Sequence, residues 1–377
     1  MPRRLEMDRW LFGVTLTLCL LGAVMVYSAS AVTAGEEYGH SAHFLVRQLL
    51  WLGIGLGALL ALMRLDYQRL REPAVVFSAV CVVFVLLVGV FFLDKSHATH
   101  RWIRFGSLGG IQPSELAKLA VILYLAWFLG QKRRQTATLE FTKEDLVKTL
   151  GPALAPVLLF FGLIVLQPDL GTSVELVLIA AAILFVAGLS PKWLGAGAAL
   201  GLPGLYLLIM KVSYRHDRVL GFLNPEADPQ GKGFQLLQSL IAVGSGGFTG
   251  VGLMESKQKL FYLPEAHTDF IFAVICEELG FAGALILITL FVLYAWRGLR
   301  AAFGAPDNFG RLLALGITAM ITSQALINFA VVLGMMPTKG IPLPFVSYGG
   351  SSLVVMLAAT GVLLNISQQA RPQDWQE

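Results

Sequence analysis

Leu263-Pro264-Glu265-Ala266-His267-Thr268-Asp269-Phe270-Ile271-Phe272-Ala273-Val274-Ile275-Cys276-Glu277-Glu278-Leu279-Gly280 joins a long polar segment, Tyr214 to about Ala266, to an apolar helix. The junction puts one carboxylate at the lip of that helix and two more inside it, where an unpaired charge costs about 2.5–3.5 kcal/mol on insertion scales. A membrane helix carries such groups where they are paired or used. The polar segment beside it is large enough to fold over a substrate.

The rest of the chain agrees with a membrane reading. Hydrophobic residues make up 56% and charged residues 14% of 377, and the mean hydropathy is +0.70, whereas soluble chains carry about 25% charged residues. Apolar runs of membrane-spanning length fall near 10–31, 46–63, 73–93, 115–130, 152–168, 172–189, 193–211, 269–296, 311–335 and 351–368. These runs are too long for barrel strands and do not alternate. The predicted fold is therefore all-α and polytopic, with about ten transmembrane helices in a single domain over 1–377. The 39 glycines suit helices that pack closely in lipid.

The net charge of +4 is a topology signal. With the N-terminus inside, short cytoplasmic segments hold Arg3, Arg4 and Arg9; Arg64, Arg69 and Arg71; Lys132, Arg133, Arg134, Lys143 and Lys148; and Arg297, Arg300, Arg311 and Arg371. An even number of helices puts both termini in the cytoplasm, and a nucleic-acid partner has no support. Arg3, Arg4 and the Ser28-Ala29-Ser30-Ala31 stretch resemble a cleavable signal, but the apolar run is longer than a signal core, so an uncleaved first helix is expected. Cys19, Cys81 and Cys276 all fall in spans, without metal-ligand spacing.

The outward segments are then about 32–45, 94–114, a tight turn at 167–172, a loop between helices 7 and 8 at 212–268, and 336–350. A loop of that length is usually functional or disordered. Its Phe222, Phe234, Leu236, Leu237, Leu240, Ile241 and Phe248 argue for partial order against the membrane face. The loop 131–150 reads as a linker or a short surface helix. Neither a fixed-period repeat nor a broken helix is evident.

Asp269 has two readings. As a general base it needs reach to a substrate hydroxyl and a raised pKa; as an N-cap it would satisfy free amides and be held low. Glu277 and Glu278 lie about 12–13 Å deeper and on other faces of an ideal helix, so the three do not form one cluster. The pair is assigned to a structural network with a cation on a neighbouring helix, which Lys118 could supply. Glu115 and Lys118 stand three residues apart behind Ser114, the expected N-cap, and read as an ion pair or as cavity-lining groups. Arg101, Arg104, Arg215, Arg218, Lys257, Lys259 and Lys339 project outward against the positive-inside trend and suit an anionic, phosphate-bearing ligand. His97, His100, His216 and His267 lack metal spacing. Gly244–Gly252 lacks the Lys-Ser/Thr ending of a phosphate loop.

Four stretches in order resemble the signatures of the SEDS (shape, elongation, division, sporulation) family. They are Gln112-Pro113-Ser114-Glu115 with Lys118, Gln167-Pro168-Asp169-Leu170-Gly171-Thr172, Pro264-Glu265 with His267-Thr268-Asp269-Phe270-Ile271-Phe272-Ala273, and Pro342-Leu343-Pro344-Phe345 with Ser347-Tyr348-Gly349-Gly350-Ser351-Ser352. The Pro337-Thr338-Lys339-Gly340 stretch is closer to the division branch, FtsW, than to the elongation branch, RodA.

The resemblance implies a ten-helix enzyme of the bacterial cytoplasmic membrane that polymerises lipid II into β-1,4 glycan strands on its outer face. It places the family's essential aspartate on Asp269, as an inverting general base acting on a sugar hydroxyl. It implies that Glu115 and Lys118 line the central cavity; with the outward cations Arg101, Arg215, Arg218 and Lys339 and with Ser347 of the last motif, they are the expected substrate-binding or cavity residues. A divalent cation near Asp269, Mg2+ or another, could assist the diphosphate, and no organic cofactor is implied. The partners implied are lipid II, the nascent strand, a separate class B penicillin-binding protein and other division or elongation membrane proteins. Gly110 stands where some division members carry a basic residue, so no diphosphate contact is expected there. Two other functions are compatible with these motifs: a lipid II flippase, which needs a continuous charged path, and a scaffold that only positions the penicillin-binding protein.

Overall fold

The computed structural model describes residues 7–94, 100–104, 109–132 and 146–370. Arg3, Arg4, His97, Arg133, Arg134, Lys143 and Arg371 lie outside the described residues, as does most of the loop 131–150. Twelve α-helices are described: α1 (Arg9–Tyr38), α2 (His43–Arg64), α3 (Pro73–Leu93), α4 (Pro113–Lys132), α5 (Gly151–Leu166), α6 (Leu170–Val186), α7 (Pro191–Met210), α8 (Ser213–Leu223), α9 (Phe234–Ser245), α10 (Ile271–Gly304), α11 (Asn308–Val332) and α12 (Gly350–Gln369). Two short strands, β1 (Ile103–Arg104) and β2 (Gly110–Ile111), pair antiparallel before α4.

Nine of these helices are long and apolar enough to cross a membrane. At 17 residues, α6 is apolar but reaches only about 25 Å, so among the described residues nine of the ten expected spans have full length and the run at 172–189 appears as a shorter apolar helix. The remaining two, α8 and α9, are the ordered part of the long loop. Helix starts follow local chemistry. Asp8 accepts from Leu11 N at 2.9 Å to open α1, and Asp307 accepts from Gly310 N at 2.7 Å to open α11. Pro73 and Pro191 occupy first-turn positions where a missing amide costs nothing.

The centre of the bundle is α4, α11 and α12, whose apolar windows are mostly buried, while α7 buries no residue and stands at the edge. α2 packs along α12, and α11 along α4, α6 and α10. At one end, Arg297 holds Asp8 at 2.6 Å, Tyr67 Oη donates to Asp307 at 2.8 Å, and Tyr67 N donates to Asn365 Oδ1 at 3.0 Å. The other end gathers the segments around 100–112, 167–170, 211–270 and 334–349.

One element departs from expectation. α10 is interrupted at Gly280, with φ 65° and ψ −166°, a conformation open to glycine and costly for any side chain. The preceding half-helix, Ile271 to Leu279, ends beside the glycine-rich stretch of the loop. Val251 N and Gly252 N donate to Glu277 O and Glu278 O at 3.0 and 3.1 Å, while Phe281 N and Ala282 N donate to Gly247 O and Phe248 O at 2.9 and 3.1 Å. The break therefore leaves these backbone groups satisfied, as a membrane interior demands. Gly250 and Gly280 allow the crossing: a Cβ on Gly280 would lie 2.3 Å from Gly250 N. The Gly244–Gly252 stretch thus serves a backbone crossing.

Candidate active site

Asp269 lies outside α10. The helix is capped by Phe270, with no side-chain hydrogen bond, so the N-cap reading of Asp269 does not hold. No described residue donates to its carboxylate. The group is surrounded by protein yet partly exposed. Its pKa is pushed up to about 7, first by burial and then by the charge of Glu265; Asp169 adds to the rise, and Arg218 and Arg101 oppose it. Gly340 arches over it, and a Cβ there would lie 2.8 Å from Asp269 Oδ2.

The backbone at this point is fixed from outside the helix. Three successive carbonyls accept from other segments: His267 O from Tyr348 N at 3.0 Å, Thr268 O from Ser347 Oγ at 2.6 Å, and Asp269 O from Asn328 Nδ2 at 2.8 Å. Ser347 Oγ also accepts from Leu343 N at 2.8 Å. Ser347 is buried with its hydroxyl used in both directions, so it holds the Thr268 peptide in place of a substrate. His267 is pressed between Phe44 and Tyr348, with ring centroids at 4.5 and 5.7 Å, and burial lowers its pKa.

The outward cations divide. Arg101 reaches towards the site but donates through Nε to Gln167 O at 3.1 Å and through Nη2 to Pro168 O. Arg218 is exposed, over the Tyr214 ring at 5.9 Å. Lys339 lays its stem across Gly171 at the start of α6; burial lowers its pKa while Asp169 and Glu175 raise it. Arg215 is buried and tied to Tyr214 Oη at 2.9 Å and Leu208 O at 3.1 Å. It anchors α8 to the end of α7 and is not brought to Asp269. Asp169, which caps α6 and accepts from Gln112 Nε2 at 3.0 Å and Thr172 Oγ1 at 2.8 Å, was not singled out from sequence. Its Pro-Asp-Leu-Gly-Thr setting was the available signal.

Glu115 and Lys118 do pair, at 2.9 Å, deep in the bundle. Lys118 is fully buried and also meets Glu175 Oε2 at 3.2 Å and donates to Gln324 Oε1 at 2.7 Å; Glu115 accepts from Ser352 Oγ at 3.1 Å. Glu175 and Gln324 complete the cluster, and neither was joined to Lys118 from sequence. Ser114 is inside α4 and not its cap, because the helix begins at Pro113.

The cation expected for Glu277 and Glu278 is also different. Glu278 pairs with Lys259 of the loop at 2.8 Å and accepts from Ser28 Oγ of α1 at 2.6 and 2.7 Å. Glu277 accepts from Ser256 Oγ and from Lys257 N at 2.9 Å. These two carboxylates clip the loop to the half-helix. The cation beside Glu278 is Lys259 of the loop and not Lys118 of a neighbouring helix. Among the described residues, no group of three metal-ligating side chains occurs; Lys118 is closed with Glu115 and Glu175 and Lys259 with Glu278, while Glu277 and Arg215 are satisfied by neutral hydroxyl and backbone groups.

The chain matches the cell cycle protein family model that joins FtsW, RodA and SpoVE, over residues 8–372. It is 44% identical over 367 residues to stage V sporulation protein E of Bacillus subtilis, covering 97% of this chain and 98% of that protein. It is 42% identical over 363 residues to a probable peptidoglycan glycosyltransferase FtsW of Geobacter metallireducens, covering 95% and 94%. Among solved structures, a chain of a peptidoglycan synthase complex, described as coordinating polymerization and crosslinking, superimposes with a TM-score of 0.76 at 31% identity and 98% and 100% coverage. Thermus thermophilus RodA, a rod shape determining protein, gives 0.70 at 29% identity, covering 98% and 99%. With the apolar helix bundle, the motif order and matches running almost end to end, this chain belongs to the FtsW/RodA/SpoVE family of cell cycle proteins.

Proposed function

We propose that this chain is a peptidoglycan glycosyltransferase that polymerises lipid II into glycan strands, in division or shape maintenance, at the outer face of the bacterial cytoplasmic membrane. The observation that carries the assignment of its base is the carboxylate of Asp269, with no donor among the described residues, partly exposed and with its pKa raised to about 7. A base must be free to take a proton and poised near the working pH. Here Asp269 takes the proton of an acceptor sugar hydroxyl as that oxygen attacks the anomeric carbon of the donor, and the linkage inverts in one displacement. The departing diphosphate is already anionic and needs charge stabilisation more than a proton. The cations whose charge acts on the Asp269 carboxylate are Arg218 and Arg101; Arg218 is exposed, Arg101 is tethered to the carbonyls at 167 and 168, and Lys339 stands beside Asp169 and Glu175.

A divalent cation fits this arrangement in one way. Mg2+ binds through one or two carboxylates together with phosphate oxygens. The substrate diphosphate would hold it chiefly through its own oxygens, and it would neutralise leaving-group charge, while Asp269, facing the acceptor on the opposite side of the anomeric carbon, would stay free to take the proton. The separate crosslinking partner is a class B penicillin-binding protein, in keeping with the synthase complex that this fold resembles.

The test is glycan polymerisation from purified lipid II, with and without that partner, comparing the native chain with Asp269→Ala. Polymer from the native protein and none from the folded variant is the expected result. Equal polymer from both removes Asp269 as the base.

A further inference from the structure

The buried charges around Lys118 and the carboxylate of Asp269 belong to different parts of the fold, and two amides on α11 join them. Gln324 and Asn328 stand four residues apart, on one face of the helix, and both are buried. Gln324 accepts from Lys118 Nζ through Oε1 at 2.7 Å and donates through Nε2 to Pro342 O at 2.9 Å. Asn328 donates through Nδ2 to Ile341 O at 2.8 Å and to Asp269 O at 2.8 Å. The amide orientations are forced. An ammonium only donates, so the Gln324 oxygen must face Lys118 and its NH2 the Pro342 carbonyl; both Asn328 partners are carbonyls, so its NH2 must face them.

The consequence falls on Asp269 because the helix does not hold it. The α10 ladder starts one residue later, with Ala273 N on Phe270 O at 3.0 Å. The same two carbonyls that the bracket fixes, at 341 and 342, set the segment whose Gly340 lies over Asp269 Oδ2. We propose that Gln324 and Asn328 form a two-amide bracket that positions Asp269, and that Lys118 acts on the reaction through this bracket and makes no contact with substrate. The bracket rests on Asp269 being the base, as proposed above. A reacting carboxylate displaced by about 1 Å loses about a hundredfold in rate while binding is retained.

Asn328→Leu keeps the branched outline, in a bulkier side chain, and removes the donor; Gln324→Met keeps the unbranched reach of the other arm and removes its amide. The experiment measures kcat and KM for lipid II with the partner present, together with thermal unfolding in detergent, for these two, Asn328→Ser and Asp269→Asn. The bracket predicts a fall in kcat of about 10–100-fold in Asn328→Leu and Gln324→Met, with KM within about twofold. Asn328→Ser, a shorter donor, should fall between Asn328→Leu and the native chain. Native kcat in Asn328→Leu beside an inactive Asp269→Asn overturns the bracket and leaves the base in place. An active Asp269→Asn overturns the base itself. Loss of folded protein in Asn328→Leu, Asn328→Ser and Gln324→Met alike assigns the pair to assembly and overturns the positioning role.

Discussion

Asp269 differs from the buried carboxylates of this protein in what surrounds it. Glu115, Glu175, Glu277 and Glu278 each accept from a cation, a hydroxyl or an amide, whereas Asp269 accepts through its carbonyl and leaves its carboxylate open. Two outcomes follow from the raised pKa of about 7. A base works only when ionised, so kcat/KM for lipid II should rise as pH climbs through about 7 and level off above it; a rate that falls over that range sinks the assignment. For stability the sign is opposite. The folded-state pKa lies above the ordinary 3.8, so the fold favours the neutral acid, and stability is lost as pH rises from about 4 to about 7. The full shift corresponds to about 4 kcal/mol, and access to water reduces it to about 1–3 kcal/mol. Asp269→Asn should therefore unfold at higher temperature than the native chain at pH 8, with the gap closing towards pH 4. A lower melting temperature for the variant at pH 8 would contradict this.

At the scale of elements, sequence patterns were informative where a single helix decides the answer. Hydropathy marks the spans because each run is long and apolar by itself, and the spacing of Glu115 and Lys118 gives their pairing because three residues nearly complete a turn. The partner of Glu278 was not legible. Lys259 reaches it from a loop of irregular backbone, whose course depends on Gly250 crossing Gly280, and no periodicity reports a crossing of two backbones. The break at Gly280 was hidden for the same reason, since Leu279-Gly280-Phe281 reads as continuous apolar helix. The loop clip itself is testable. Lys259→Met leaves Glu278 buried without its cation and should cost about 3–5 kcal/mol of stability. Lys259→Met combined with Glu278→Leu should cost less than either substitution alone, because no charge is stranded. Thermal unfolding of the three variants closes the cycle, and simply additive losses would mean that the pair is not coupled.

Across the whole molecule, charge sorts with the two ends of the bundle. Arg64, Arg69, Arg71, Arg297, Arg300 and Arg311 share the end tied by Arg297 to Asp8 and by Tyr67 to Asp307 and Asn365. Asp269, Arg101, Lys339 and Arg218, the last carried by α8 itself, share the other. We propose, from the positive-inside tendency, that the first end faces the cytoplasm. A cysteine at Glu255, on the loop, should react with a membrane-impermeant maleimide on intact cells, in a background with Cys19, Cys81 and Cys276 replaced. A cysteine at Arg69, on the turn between α2 and α3, should react only after permeabilisation. The reverse pattern would put Asp269 and its cations on the cytoplasmic side, where a strand made from a lipid-linked donor could not reach the wall it extends. Orientation is thus the condition on which the chemistry at Asp269 becomes a biological function.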